Sequence, residues 1–497
     1  MVVTNQLPDL PTTNPNTINI VRTSDFVQHV RPPPPGVPLD QYTAVGSTRN
    51  DCVLSGLVIV HLSKPKRARY LQVEHITTAR LPASLKQLED PSSFKGWGNR
   101  EVNRTAQCGP QWRDVVLHRN VMELSGTGDE GILVDAGPQM FEYCFIVPSN
   151  LAGTDRTRFG RVFHHIEARL VGGAETSSLP FARKNDSSSQ NRLVPVRTLS
   201  PLADTQMPSQ FQDASLDHRL AKTTWLKGNM TVSSEILLIT LWTADNSPLP
   251  LDLNVNKTLD GLGTVSWGAH TDAFTVGGEV TVHCTLNNPY PLASVWAIRF
   301  HINQVVTIAP IDPKEKASPH PPLVDRFLIH AKGRLPSQEE IRCRTAEPLW
   351  DGGAVPGPEH LKDIAGMEVD EYTRMADETK LRPTTCPGTV TPIRVAHELS
   401  IQIFFSVWGE EGNGRQMPQD GPGELRKAVL TYNVTLSSCT CTPENLALPP
   451  YEAEAERRSK MSSGWVHDNC ACSRPLRPRP ERVRAMPAPP IQADKVV

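Results

Sequence analysis

A side-chain period of two recurs along this chain, and a chain patterned that way buries its apolar residues by forming sheets. In residues 280–288, Val280, Val282, Cys284 and Leu286 share one face, while Thr281, His283 and Thr285 share the other. Residues 295–303 set Trp296, Ile298, Phe300 and Ile302 against Val295, Arg299 and His301. Residues 394–408 align Val395, His397, Leu399, Ile401, Ile403, Phe405 and Val407, and residues 429–436 align Leu430, Tyr432, Val434 and Leu436. Such runs read as antiparallel strands with one face on a core. The earlier half repeats the pattern at 55–62, 69–76, 141–148, 161–170 and 235–242, with Gly, Pro, Asn and Asp clusters between. A chain of 497 residues is long enough for more than one core. The predicted fold is all-β: two tandem antiparallel β-sandwiches, immunoglobulin-like in style, over 17–245 and 246–441, with a Pro-bearing seam at Asn246–Pro250.

Three segments escape the pattern. Residues 174–220 are rich in Ser, Asn, Gln and Pro and read as a disordered insertion. Residues 311–385 read as a long insertion with at most two short helices, near 337–344 and 360–376. Residues 442–497 read as a disordered tail. Within it Glu452 to Lys460 favours helix, with Glu454 four before Arg458, and the end is basic and broken by proline.

Composition excludes several classes. A net charge of −2, with no basic-aromatic stripe, gives no field for nucleic acid. The N-terminus lacks a basic n-region and an apolar h-region, and no apolar run is long enough to span a bilayer. The expectation is a cytoplasmic protein, in which Asn-x-Ser/Thr sequons carry little meaning and the ten cysteines are thiols rather than disulfides. No phosphate-binding loop, zinc-protease helix or nucleophile elbow occurs, so no catalytic residue and no cofactor is expected.

Binding is the better expectation, and the tail carries its best candidate: Leu448, Pro449, Pro450 and Tyr451. Consecutive prolines hold the polyproline II form in advance, so docking loses little entropy. The aromatic groove of a WW domain takes Pro449 and the residue before it, and a second pocket takes Tyr451. Cys439 and Cys441 with Cys470 and Cys472, His467 nearby, could clip a zinc ion, but the two sulfurs of a C-x-C pair are hard to aim at one ion. Tail cysteines that stay reduced are the plainer reading, and no metal site is expected. His164 and His165 point to opposite faces of a strand and read as structural. Arg474 onward could touch an anionic membrane, although charges broken by proline more often mean a solvated tail. Pro475 with Pro478, and Pro32 to Pro35, are weak SH3-type possibilities.

Certain residues carry a resemblance. Ser55 to Pro65 resembles the G-x-v-x-l-x-l-x-K-P opening of the arrestin amino-terminal domain. Phe141 to Pro148 is similar to its f-x-F-x-f-x-lP strand, and Phe159 to Leu170 to the strand that follows, with His in place of the usual Tyr. Phe274 to Val280 with Asn287 and Asn288 resembles the start of the carboxy-terminal domain, and Thr391 to Leu399 a late i-x-V-x-H-x-l strand. The likeness spans 17–441 and is closest to the α-arrestins, trafficking adaptors many of whose fungal members carry long insertions. No counterpart of the phosphate-sensing polar core is present. The resemblance implies an adaptor that joins a membrane transporter or receptor cargo to a WW-bearing HECT-type ubiquitin ligase, recruited transiently to plasma membrane or endosomes. It also leaves open a retromer-type or scaffold role without a ligase.

Overall fold

The computed structural model describes residues 16–22, 28–30, 52–82, 112–125, 131–148, 150–157, 160–173, 191–192, 223–240, 248–308, 321–352, 366–446 and 470–479. The longer strands of the first half are β1 (Thr17–Arg22), β2 (Cys52–Leu62), β3 (Tyr70–Pro82), β4 (Trp112–Ser125), β5 (Gly137–Val147), β6 (Gly160–Val171) and β7 (Asn229–Ile236). They form one sheet ordered β1-β2-β5 and a second ordered β4-β3-β6-β7, antiparallel throughout these pairs. Leu54, Val58, Val60, Tyr143 and Phe145 from the first sheet meet Leu71, Val73, Met122, Ile166, Ala168 and Leu170 from the second in one buried cluster. Two sheets sharing a core between them make a β-sandwich.

The second half holds β8 (Leu251–Leu259), β9 (Gly263–Thr271), β10 (Glu279–Asn287), β11 (Ala293–Ile308), β12 (Leu323–Gly333), β13 (Glu368–Arg374), β14 (Ile393–Val407) and β15 (Arg426–Val434). Their sheets run β8-β9-β10-β13 and β12-β11-β14-β15. Trp267, Val282, Cys284 and Leu286 pack against Ile298, Phe300, Leu399, Ile401 and Phe405 in a second cluster. A third, small cluster joins Leu81 of the first half to Val306, Ile308, Ile393 and Val395 of the second. The expected all-β class and sandwich packing hold. The seam at Asn246 falls outside the described residues, as do 174–220 apart from Asn191–Arg192, which pairs parallel to β4.

The expected insertion at 311–385 is corrected in its described parts: among the described residues β12 and β13 are edge strands of the two second-half sheets and so belong to the sandwich. The helix near 337–344 is present as α1 (Gln338–Arg342), started by a capping box between Ser337 and Glu340. The helix expected over 360–376 is replaced by β13 in the part that is described. Its polar sequence holds through backbone pairing with β10, a Lys332–Glu371 ion pair at 2.9 Å and a hydrogen bond from the Tyr372 hydroxyl to Glu279 at 2.6 Å.

Gly56 shows how closely the first core is packed. A Cβ there would stand 2.4 Å from the Val21 carbonyl oxygen and 2.5 Å from the Tyr143 hydroxyl. Gly56→Ala is therefore expected to cost about 1–3 kcal/mol by forcing β1 and the Tyr143 ring aside. Denaturant midpoints check this, and Tyr143→Phe in the same chain should recover part of the loss because it removes the hydroxyl, one of three atoms that a Cβ would approach within 3.0 Å, while the ring Cζ at 2.7 Å stays.

Candidate functional site

Leu448, Pro449, Pro450 and Tyr451 lie outside the described residues, as does His467. The flanks of that stretch are described, and they meet. After β15 the chain turns back onto the start of β10, Val276 N–H donating to the Ser437 carbonyl at 3.0 Å and Ser437 N–H to Phe274 at 3.1 Å. It then forms a turn closed by Cys441 N–H on the Ser438 carbonyl at 3.0 Å and a short helix, α2 (Pro443–Leu446). The later flank returns at Cys470, where Ala471 N–H donates to the Cys439 carbonyl at 2.9 Å. The described segments on either side of the tetrad thus meet on the second sandwich at Cys439 and Ala471.

The junction is lined by sulfur. The Sγ atoms of Cys439, Cys470 and Cys472 all lie within 4.8 Å of one another. A single 3₁₀ turn (Ala471–Ser473) puts Cys470 and Cys472 on one side, and Cys472 N–H donates to the Cys470 sulfur at 3.3 Å. Glu378 closes the group, its N–H on the Cys472 sulfur at 3.3 Å and its Oε2 3.4 Å from the Cys439 sulfur. Cys441 is turned away toward the Thr240 carbonyl and packs with Leu237 and Leu446. The sulfurs of Cys439 and Cys441 thus part, as expected of a C-x-C pair, whereas the 3₁₀ turn brings those of Cys470 and Cys472 together. Hydrogen bonds from the Cys439 and Cys472 thiols, helped by the backbone, hold the Cys470 pKa well below the usual thiol value against the pull of burial. The contact with Cys470 pushes Cys439 up.

Beyond the sulfurs the segment stays attached. Arg374 Nη1 donates to the Arg474 carbonyl, Arg477 N–H to Glu279 Oε1 at 2.8 Å, and the Arg479 guanidinium pairs with Asp370. Burial of Glu279 favours its neutral form, yet the bonds from Tyr372 and Arg477, with the charges of Arg477 and Arg374, hold its pKa below the usual value. The expected solvated tail is corrected for residues 470–479, which include Pro475 and Pro478 and are engaged by acidic groups of β10 and β13. Pro32 to Pro35 fall outside the described residues.

His164 is structural, as expected. Its ring is fully buried, with Nδ1 2.9 Å from the Thr77 hydroxyl and Nε2 2.9 Å from the Ala152 carbonyl. His75 stacks on it at 5.9 Å between ring centroids and His118 lies 5.6 Å from His75, a grouping with no local signal in the residues. That grouping arises from the pairing of β3 with β6 and β4, which brings distant residues together. Among the described residues no helix is long and apolar enough to cross a membrane. Compared with protein-family models the chain matches none, and no curated protein matches it.

Proposed function

We propose that this protein is an arrestin-like binding adaptor rather than an enzyme. Its sandwiches would engage a membrane-protein cargo, and Leu448, Pro449, Pro450 and Tyr451 would recruit a WW-bearing HECT-type ubiquitin ligase. The observation that carries this reading is the tail junction: the described residues on either side of the tetrad, up to Leu446 and from Cys470 on, are fastened to the folded body. The motifs behind the arrestin likeness lend support, since Ser55 to Leu62, Phe141 to Val147, Gly160 to Leu170 and Ile393 to Leu399 all fall on strands, the first two paired side by side as β2 and β5. Cytoplasmic residence and recruitment to plasma membrane or endosomes belong to the same proposal.

Titrating the full chain with a WW domain by calorimetry tests it. Tyr451→Ala should weaken binding about thirtyfold or more, since losing a buried aromatic anchor costs about 2 kcal/mol or more. A melting curve unchanged from wild type separates lost binding from lost fold. Equal binding by wild type and variant would remove the tetrad from the proposal and favour the scaffold role without a ligase.

A further inference from the structure

We propose that Cys439, Cys470 and Cys472, completed by the Glu378 carboxylate, bind one zinc ion that clasps the C-terminal segment to the second sandwich. The three sulfurs already converge within 4.8 Å, and each is a free thiol. Around a tetrahedral zinc with Zn–S bonds of about 2.3 Å, neighbouring sulfurs sit about 3.8 Å apart. Closing the triad on an ion therefore takes a contraction of about 1 Å at most. Cys439 and Cys470 border the second core and Cys472 packs against it, and Ala471 N–H donates to the Cys439 carbonyl at 2.9 Å, so two segments distant in sequence bring their sulfurs to one point.

The surroundings suit a thiolate site. Glu378 Oε2 lies 3.4 Å from the Cys439 sulfur, beside the converging triad, and a turn of its side chain onto the ion would supply the fourth ligand. The N–H groups of Glu378 and Cys472 point at the Cys472 and Cys470 sulfurs, which is how outer groups offset the negative charge of ligating thiolates. Three soft sulfurs with one carboxylate select zinc over magnesium or calcium, which take oxygen ligands. Gly277 makes room: its φ is +68°, and a Cβ there would stand 2.5 Å from the Cys472 sulfur. On binding, thiols still protonated give their protons to solvent, the ion stays divalent and no electron moves. The clasp is independent of ligase recruitment, and either can fail alone.

Full-length protein purified under reducing conditions, given excess zinc and desalted, should retain about one equivalent, the load of a single closed site. Cys439→Ser, Cys470→Ser and Cys472→Ser should each retain less than about a tenth of that, while Cys441→Ser, whose sulfur faces Thr240, should retain all of it. Cobalt(II) added to the wild type should show thiolate charge-transfer absorption and intense tetrahedral d–d bands, a readout that needs no variant to fold. Glu378→Gln should keep those bands and bind at least about tenfold more weakly. Chelation should raise amide hydrogen exchange across 470–479. Zinc below about a tenth of an equivalent in the wild type, absent cobalt bands, or Cys441→Ser failing like the others would overturn the clasp. Unchanged affinity in Glu378→Gln would overturn the fourth ligand.

Discussion

Stability is expected to fall steeply as pH is lowered from about 6.5 toward about 4, ahead of most carboxylate titration. Three buried histidines drive this. Burial, reinforced by the neighbouring His164, His118 and His165, lowers the His75 pKa to about 3. Burial takes His164 to about 4 and His397 to about 3. The fold keeps all three neutral, whereas the unfolded chain protonates them below about 6.5, so within this window the unfolded state holds more protons and stability rises with pH. Each group contributes about 1.4 kcal/mol per pH unit, so the three together cost about 4 kcal/mol for each unit of acidification. His75 and His164 border the first core and His397 the second. Where the cores melt in separate steps, the first should therefore show twice the slope. Calorimetric melts between pH 7 and pH 5 decide the matter; a flat profile across that range would refute it.

Trp267→Ala should be the most damaging single truncation in the second core, at about 3–5 kcal/mol. The indole is fully buried on β9, opposite Cys284 of β10 and Val255 of β8. Removing it leaves a void at the centre of a packed sandwich, which the flanking strands can only partly fill. Its Nε1 has no hydrogen-bond partner among the described residues. A buried, unbonded N–H costs about 1–3 kcal/mol, so Trp267→Phe, which discards that group and keeps a ring, should cost far less than the alanine. Denaturant unfolding of both variants checks the ranking, and an alanine variant no worse than the phenylalanine one would contradict it.

What could be read from the residues alone follows where burial decides and where pairing decides. β14 was legible because Val395, Leu399, Ile401 and Phe405 all face a core, so hydrophobicity traced the strand. β4 went unseen: Arg113, Asp114, His118, Arg119 and Asn120 interrupt any apolar alternation, and pairing with β3 holds the strand together, aided by bidentate contact of Arg119 with Glu74. β12 was hidden by the register shift opposite Phe300 and His301, which breaks the period of two at the buried Ile329. β13 was hidden by charge. The thiol group was half visible. The C-x-C spacings were plain, but only the three-dimensional return of Cys470 to Cys439 shows which sulfurs meet, and Glu378 carries no local signal at all.

The attached C-terminal segment has a consequence for self-association. β13 ends its sheet, and an open edge offers unpaired backbone groups to a neighbouring molecule. Arg474 contacts Arg374 and Arg479 contacts Asp370, so residues 474–479 run alongside β13 in the opposite direction. Pro475 and Pro478 lack the N–H that would make this stretch another strand. The segment can therefore sheathe the border without becoming a new one, and a chain that lost it would bare a template for edge-to-edge aggregation.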